Sequence, residues 1–141
     1  MQKKYFGPIM KKISEEMDRR ANGEIKKYRL TLTQAKIILY LSEYRNKTAT
    51  QKELEDFLQV SHPTTVTIVK SMESKNMVKT YFDNTDRRMK KVQLIWGNKE
   101  IYDELHQNAE NMETRLLEGF SEEEKEQFYS YLKRAYKNAV K

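Results

Sequence analysis

Residues 50–76 read TQKELEDFLQVSHPTTVTIVKSMESKN, and two helix starts lie close together in them. Thr50 can accept from the backbone N–H three residues on, and Glu53 can reach back to the Thr50 N–H, the reciprocal pairing of a capping box. Leu54, Phe57 and Leu58 then share one face of the first helix. Only Gln59-Val60 separate it from Ser61, a second cap, and Pro63 falls in the following first turn, where its missing N–H costs nothing. Val66, Val69, Met72 and Met77 are expected to face inward, and Asn76 is a left-handed stop, the commonest stand-in for glycine there. Two helices joined so briefly, the second with a polar outer face of small side chains, have the pattern of a helix-turn-helix.

Immediately downstream the period changes from 3.6 to 2. Val78, Thr80 and Phe82 alternate, as do Val92, Leu94 and Trp96, which predicts a hairpin. Its tip, DNTDRRMKK (83–91), carries Arg87, Arg88, Lys90 and Lys91 beside two aspartates. A two-stranded ribbon with arginine at its tip fits a minor groove, where the negative potential over A·T tracts attracts guanidinium. Asp86 is expected to pair with one of the arginines and fix the tip. A solvated loop that guards a strand edge with charge explains Lys90 and Lys91, and explains the adjacent arginines less well.

On the second helix the candidate DNA contacts are Ser61, His62, Thr64, Thr65, Thr67, Lys70 and Ser71. Short hydroxyl side chains exchange hydrogen bonds with base edges, and a threonine methyl packs on a thymine methyl. The first-turn N–H groups near Ser61 favour a phosphate oxygen, and Lys70 reaches phosphate. On the hairpin the candidates are Asp86, Arg87, Arg88 and Lys90. The same Ser and Thr pattern also suits a solvated, self-capped surface helix.

The flanks are helical. In YFGPIMKKISEEMDRRANGEIKKY (5–28), Tyr5, Ile9, Ile13 and Met17 form one stripe, Gly7-Pro8 suit the first turn, and Asn22-Gly23 offer a break or a kink. Thr33 is a cap for TQAKIILYLSEY (33–44), apolar nearly all round from Ile37 to Leu41 and so expected at the centre of a core. Beyond Gly97 the helical period returns with Ile101, Leu105, Ala109, Met112 and Leu116. Ser121 with Glu124 opens a last helix, with Phe128, Leu132, Ala135 and Ala139 inward. The expected class is mainly α with a small β-hairpin wing. Its segments are an N-terminal dimerisation helix (1–30), a winged helix-turn-helix DNA-binding domain (31–97) and C-terminal dimerisation helices (98–141). The outer helices carry apolar stripes larger than one small wing domain can cover, which favours an intertwined homodimer.

Charge points to a polyanionic partner. The formal net charge is +6, and residues 1–97 hold 20 Lys and Arg against 11 Asp and Glu, while residues 98–141 hold 7 against 10. The absence of cysteine excludes disulfides, thiolate metal sites and cysteine redox sensing, and two histidines leave little for a zinc site. No metal or cofactor is expected. No apolar run reaches the ~18 residues of a membrane span, and the lysine-rich start lacks a signal-peptide core, so the expected location is the cytoplasm. No nucleophile has a base beside it and no glycine loop cradles phosphate, so an enzyme is not expected.

The run from LTLTQAKIILYL (30–41) through the hairpin resembles the winged helix-turn-helix core of the MarR family of bacterial transcriptional regulators. The family's recognition-helix pattern, a serine, then Thr-Val-Thr, then Leu-Glu-x-x-Gly-Leu-Val, is matched by Ser61, Thr65, Val66, Thr67, Met72, Glu73, Met77 and Val78. Its wing pattern, Asp-x-Arg before an apolar strand, is matched by Asp86, Arg87 and Arg88 with Val92 and Leu94. The resemblance implies that Arg88 probes the minor groove, that Asp86 orients the wing and that Thr65 and Thr67 face the major groove. It also implies a repressor that binds a pseudo-palindromic operator as a homodimer, with recognition helices ~34–36 Å apart. A small-molecule effector would bind between the dimerisation and DNA-binding parts and shift the spacing of the wings. Departures from the pattern are Ile68 in place of an arginine, Asn76 for glycine, Thr80 for a basic residue, Glu55 for a small one, and Gly97-Asn98 without the usual preceding threonine. A rival reading keeps the fold without DNA binding, as a protein-interaction module such as an antirepressor or an assembly subunit. A steep loss of DNA affinity with salt separates the two.

Overall fold

Reciprocal side-chain caps set the starts of three helices. Thr50 and Glu53 exchange hydrogen bonds of 3.1 Å each way, and Ser121 and Glu124 do the same at 2.8 and 3.1 Å. The third pair is Thr31 with Gln34, at 3.0 and 3.1 Å, so Thr31 and not Thr33 caps the second helix. The computed structural model of the chain describes residues 2–43, 45–95 and 97–141. Tyr44 and Trp96, read above as a helix end and a strand residue, lie outside them.

In chain order the elements are α1 (Phe6–Ile25), α2 (Leu32–Ser42), β1 (Thr48–Thr50), α3 (Gln51–Leu58), α4 (His62–Ser74), β2 (Val78–Phe82), β3 (Lys90–Leu94), α5 (Lys99–Leu116) and α6 (Glu122–Ala139). The break expected at Asn22-Gly23 does not occur, because α1 continues to Ile25, which is buried in the core. That anchoring outweighs the ~1 kcal/mol that glycine costs a helix interior. Asn76 is left-handed, at φ 59, and ends α4.

The wing is more than a two-stranded ribbon. Strand β1, immediately before α3, joins it to make a sheet of order β1-β3-β2, antiparallel throughout. Ala49 faces Val92, which faces Thr80, while the next row is Thr50, Lys91 and Tyr81. Period-2 alternation puts Ala49, Val78, Val92 and Leu94 inward. There they meet Ile37, Ile38 and Leu41 of α2, Leu54 of α3, and Val69 and Met72 of α4, all buried. Helix α2 is thus the central element that its apolar run predicts. Phe57, expected inward beside Leu54, is instead partly exposed and stacks face to face on Tyr40, with ring centroids 4.1 Å apart.

The chain falls into two compact units, Met1–Asn108 and Ala109–Lys141, with α5 running from one into the other. The first unit includes α1, whose C-terminal Ile25 belongs to the core, while Tyr5, Phe6, Ile9 and Met10 at its start are exposed. In the second unit Phe120 stacks near Phe128, with centroids 5.8 Å apart. Helix α6 buries no residue in the single chain, and Leu132, expected inward, is 42% exposed. Ala135 and Ala139 are exposed as well.

Candidate nucleic-acid interface

The turn between α3 and α4 is made by local bonds. Gln59 is left-handed (φ 56) and its N–H closes on the Glu55 carbonyl at 2.9 Å. Ser61 caps α4, accepting from the Thr64 N–H at 3.3 Å and donating from its hydroxyl to the Thr64 hydroxyl at 2.9 Å. Along α4 the residues His62, Thr64, Thr67, Lys70 and Ser71 are exposed, on the side away from buried Val69 and Met72. The Thr67 hydroxyl donates to the Pro63 carbonyl at 3.1 Å and keeps lone pairs for a further partner.

Thr65 corrects the expected contact set. It is fully buried, and its hydroxyl donates to the Ser61 carbonyl at 3.0 Å. Thr65, Val69 and Met72 stand at i, i+4 and i+7, so Thr65 belongs to the core stripe of the helix and cannot reach a base. Ile68 also packs against the core, which accounts for an apolar residue at that position.

At the wing tip, Asp83 organises the turn. Its carboxylate accepts from the Thr85 hydroxyl at 2.6 Å and the Asp86 N–H at 3.1 Å, and pairs with Lys91 Nζ at 3.4 Å. The Thr85 hydrogen bond, aided by Lys91 and the Asp86 N–H and opposed by partial burial, holds the Asp83 carboxyl below its ordinary acidity range. Asp86 does pair with an arginine, and it is Arg88. One carboxylate oxygen accepts from Arg88 Nε at 3.2 Å and from the Arg88 N–H at 3.0 Å. The Arg88 side chain is nevertheless 93% exposed, an oriented cation standing clear of the surface. Arg87 is exposed beside it, and Lys90 lies partly exposed across from Phe82. Lys91 is occupied by Asp83.

Helix and wing are joined by a bond that sequence reading missed. Glu73 near the end of α4 accepts from the Thr80 N–H at 3.2 Å and hydroxyl at 2.7 Å, so Thr80 spends its polar groups on α4. Between α4 and the wing runs an open cleft of about 860 Å³, with His62 and Val66 on one wall and Phe82, Arg88 and Lys90 on the other. Among the described residues, no group of three or more acidic or histidine side chains is placed to hold a metal ion, and no helix is long and apolar enough to cross a membrane.

A short helix pair with an exposed second helix, followed by a hairpin bonded to that helix, defines a winged helix-turn-helix protein. Residues 30–89 match the model of the MarR family. The chain is similar to proteins of that family over this span. It is 27% identical over 126 residues to YybA, an HTH-type transcriptional regulator of Bacillus subtilis (strain 168), covering 89% of this chain and 83% of the relative. Its fold superposes on the S. aureus MepR–DNA complex with a TM-score of 0.84, at 24% identity, covering 96% of this chain and 99% of that one. It also superposes on a mutant MarR from E. coli complexed with operator DNA, with a TM-score of 0.75, at 21% identity, covering 92% of this chain and 91% of that one.

Proposed function

We infer that this protein is a sequence-specific, double-stranded-DNA-binding transcriptional regulator of the cytoplasm, a repressor that acts as a homodimer on a pseudo-palindromic operator. The observation that carries the reading is the pairing of an exposed hydroxyl face on α4 with a wing tip whose arginine is oriented by Asp86 yet 93% exposed. A side chain that binds only within its own chain has no need to be both held and bare. In this reading Thr64, Thr67 and Ser71 face base edges, Ser61 and Lys70 the phosphates, and Arg88 the minor groove, with Arg87 and Lys90 on the backbone. Two relatives of the same fold, solved with DNA, support it.

Residues 1–30 and 98–141 supply the dimer contacts in this account. Exposed Tyr5, Phe6 and Ile9 on α1, and exposed Tyr129, Leu132 and Tyr136 on α6, are the apolar surface a second copy would cover. A cavity of about 280 Å³ between α2, β3 and the start of α5, lined by Ile38, Leu94 and Tyr102 with Lys47, Lys99 and Asp103, has apolar walls and two basic side chains against one acidic one, a lining suited to a small anionic effector. In-vitro selection of bound duplexes tests the whole reading: an enriched pseudo-palindrome is expected. Affinity should fall with salt at a log–log slope of about −0.9 per phosphate neutralised. Failure to bind any duplex at low salt would return the molecule to the protein-interaction class.

A further inference from the structure

Glu55 is an anomaly in a surface meant for DNA. It is an acid at the junction of α3 and α4, and its side chain is only 12% exposed. A carboxylate so enclosed needs partners, or its desolvation goes uncompensated. Two are present. Lys52 Nζ lies 3.9 Å away, but Lys52 is 76% exposed and sits nearer to Asp56, at 3.4 Å, so its hold on Glu55 is weak. The other is the imidazole of His62, whose Nδ1 meets Glu55 Oε1 directly. His62 is the first residue of α4, and its ring also borders the cleft that Arg88 lines from the wing.

Elementary chemistry fixes what this contact does to the ring. An ionised carboxylate offers acceptors only, so Nδ1 must carry the hydrogen that joins them. Nε2 is then the single ring nitrogen left for any other partner, whether the ring is neutral or charged. An unrestrained histidine at an exposed helix start would sample several rotamers and either tautomer, and could offer a base a donor or an acceptor from either nitrogen.

We propose that Glu55 is a positioning residue for base readout: it holds His62 by Nδ1 at the foot of the recognition helix, so that His62 meets DNA through Nε2 alone and in one orientation. The proposal rests on the reading of α4 as a DNA-recognition helix. It also accounts for an acid at such a surface, since Glu55, although it borders the same cleft, is only 12% exposed and its charge is answered within the protein.

Two measurements test it, and they fail independently. The first needs no DNA. ¹⁵N-resolved NMR of the imidazole nitrogens in the free protein should show His62 protonated at Nδ1 in the wild type. In Glu55→Gln, whose amide can donate as well as accept, and in Glu55→Ala, that enforcement should be lost and the Nε2–H tautomer should appear. A wild-type His62 with a bare Nδ1 overturns the proposal. The second is duplex selection with wild type, E55Q, H62A and the double variant. E55Q and H62A should each relax the preference at the same base position, by roughly fivefold, as for loss of one hydrogen bond. The double variant should add nothing further. E55Q is close to isosteric, and an unchanged melting temperature shows that the effect is not loss of fold. If wild type selects a duplex and E55Q selects it identically, this proposal falls alone. If wild type selects none, the DNA-binding reading falls and takes the role in base readout with it.

Discussion

Replacing Arg88 with alanine removes a guanidinium that is 93% exposed and is held to its own chain through Asp86. Exposed substitutions of this kind change stability by no more than about 0.5 kcal/mol, so the melting temperature should hold within a few degrees. Binding should not hold. An arginine placed in a groove contributes about 1–3 kcal/mol, and a homodimer inserts two, so the loss is about 2–6 kcal/mol if the wings act independently. Even the lower figure weakens the dimer's Kd roughly 30-fold. Because the A·T preference of a minor-groove arginine comes from groove width and potential, the preference at the flanks of the half-sites should flatten with the affinity. Asp86→Ala should have the same direction and a smaller size, since the cation remains and only its orientation is lost. Fluorescence anisotropy with a selected duplex and with flank-swapped variants measures both quantities. Unchanged affinity and flank preference in Arg88→Ala would refute the wing assignment. A loss of affinity matched by a loss of thermal stability would refute the claim that Arg88 stands free of the fold.

Thr65→Val should leave operator choice intact and cost at most about 1.5 kcal/mol of stability, because the Ser61 carbonyl keeps its bond from the Thr65 N–H; denaturant unfolding with duplex selection checks it against Thr67→Val, which should alter selectivity. The Asp83 carboxyl is held below its ordinary value, so its contribution to the wing turn is complete above that value and is lost as pH falls through the depressed one. Amide exchange at the wing tip should therefore accelerate, relative to the intrinsic rate, as pH drops below about 4, and Asp83→Asn should remove that dependence. Leu132→Glu, placed on the exposed stripe of α6, should shift sedimentation from dimer to monomer while the far-ultraviolet circular dichroism keeps its helical signal.

The parts of this fold that local chemistry dictates could be read from the chain. Thr50 with Glu53, Ser121 with Glu124, Pro63 in a first turn and Asn76 as a left-handed stop each act within a few residues, so their types and spacing suffice. What escaped depends on distance along the chain. Strand β1 has three residues and pairs with partners more than forty positions away, so Thr48-Ala49-Thr50 carries no periodic signal of its own. The Glu73–Thr80 and Glu55–His62 bonds likewise join different elements. Thr65 escaped for another reason: threonine suits a base-contacting face by chemistry and a core by shape, and only its spacing from Val69 and Met72 decides. Thr31 and Thr33 are both threonines at the start of α2, and Gln34, three residues after Thr31, completes the capping pair with Thr31 alone.

The position of β1 has a practical corollary. Hairpins of two strands are marginal alone, and their register usually depends on the turn that joins them. Here β3 is hydrogen-bonded on both sides, to β2 and to β1, and β1 is continuous with α3. Strand alignment is therefore fixed at the base of the wing by the scaffold and not by the loop from Asp83 to Met89. That loop can be exchanged as a cassette, lengthened or rewritten in charge, without slipping the register beneath it. Grafted tips of this kind would make the wing a module for changing what sequence the scaffold prefers.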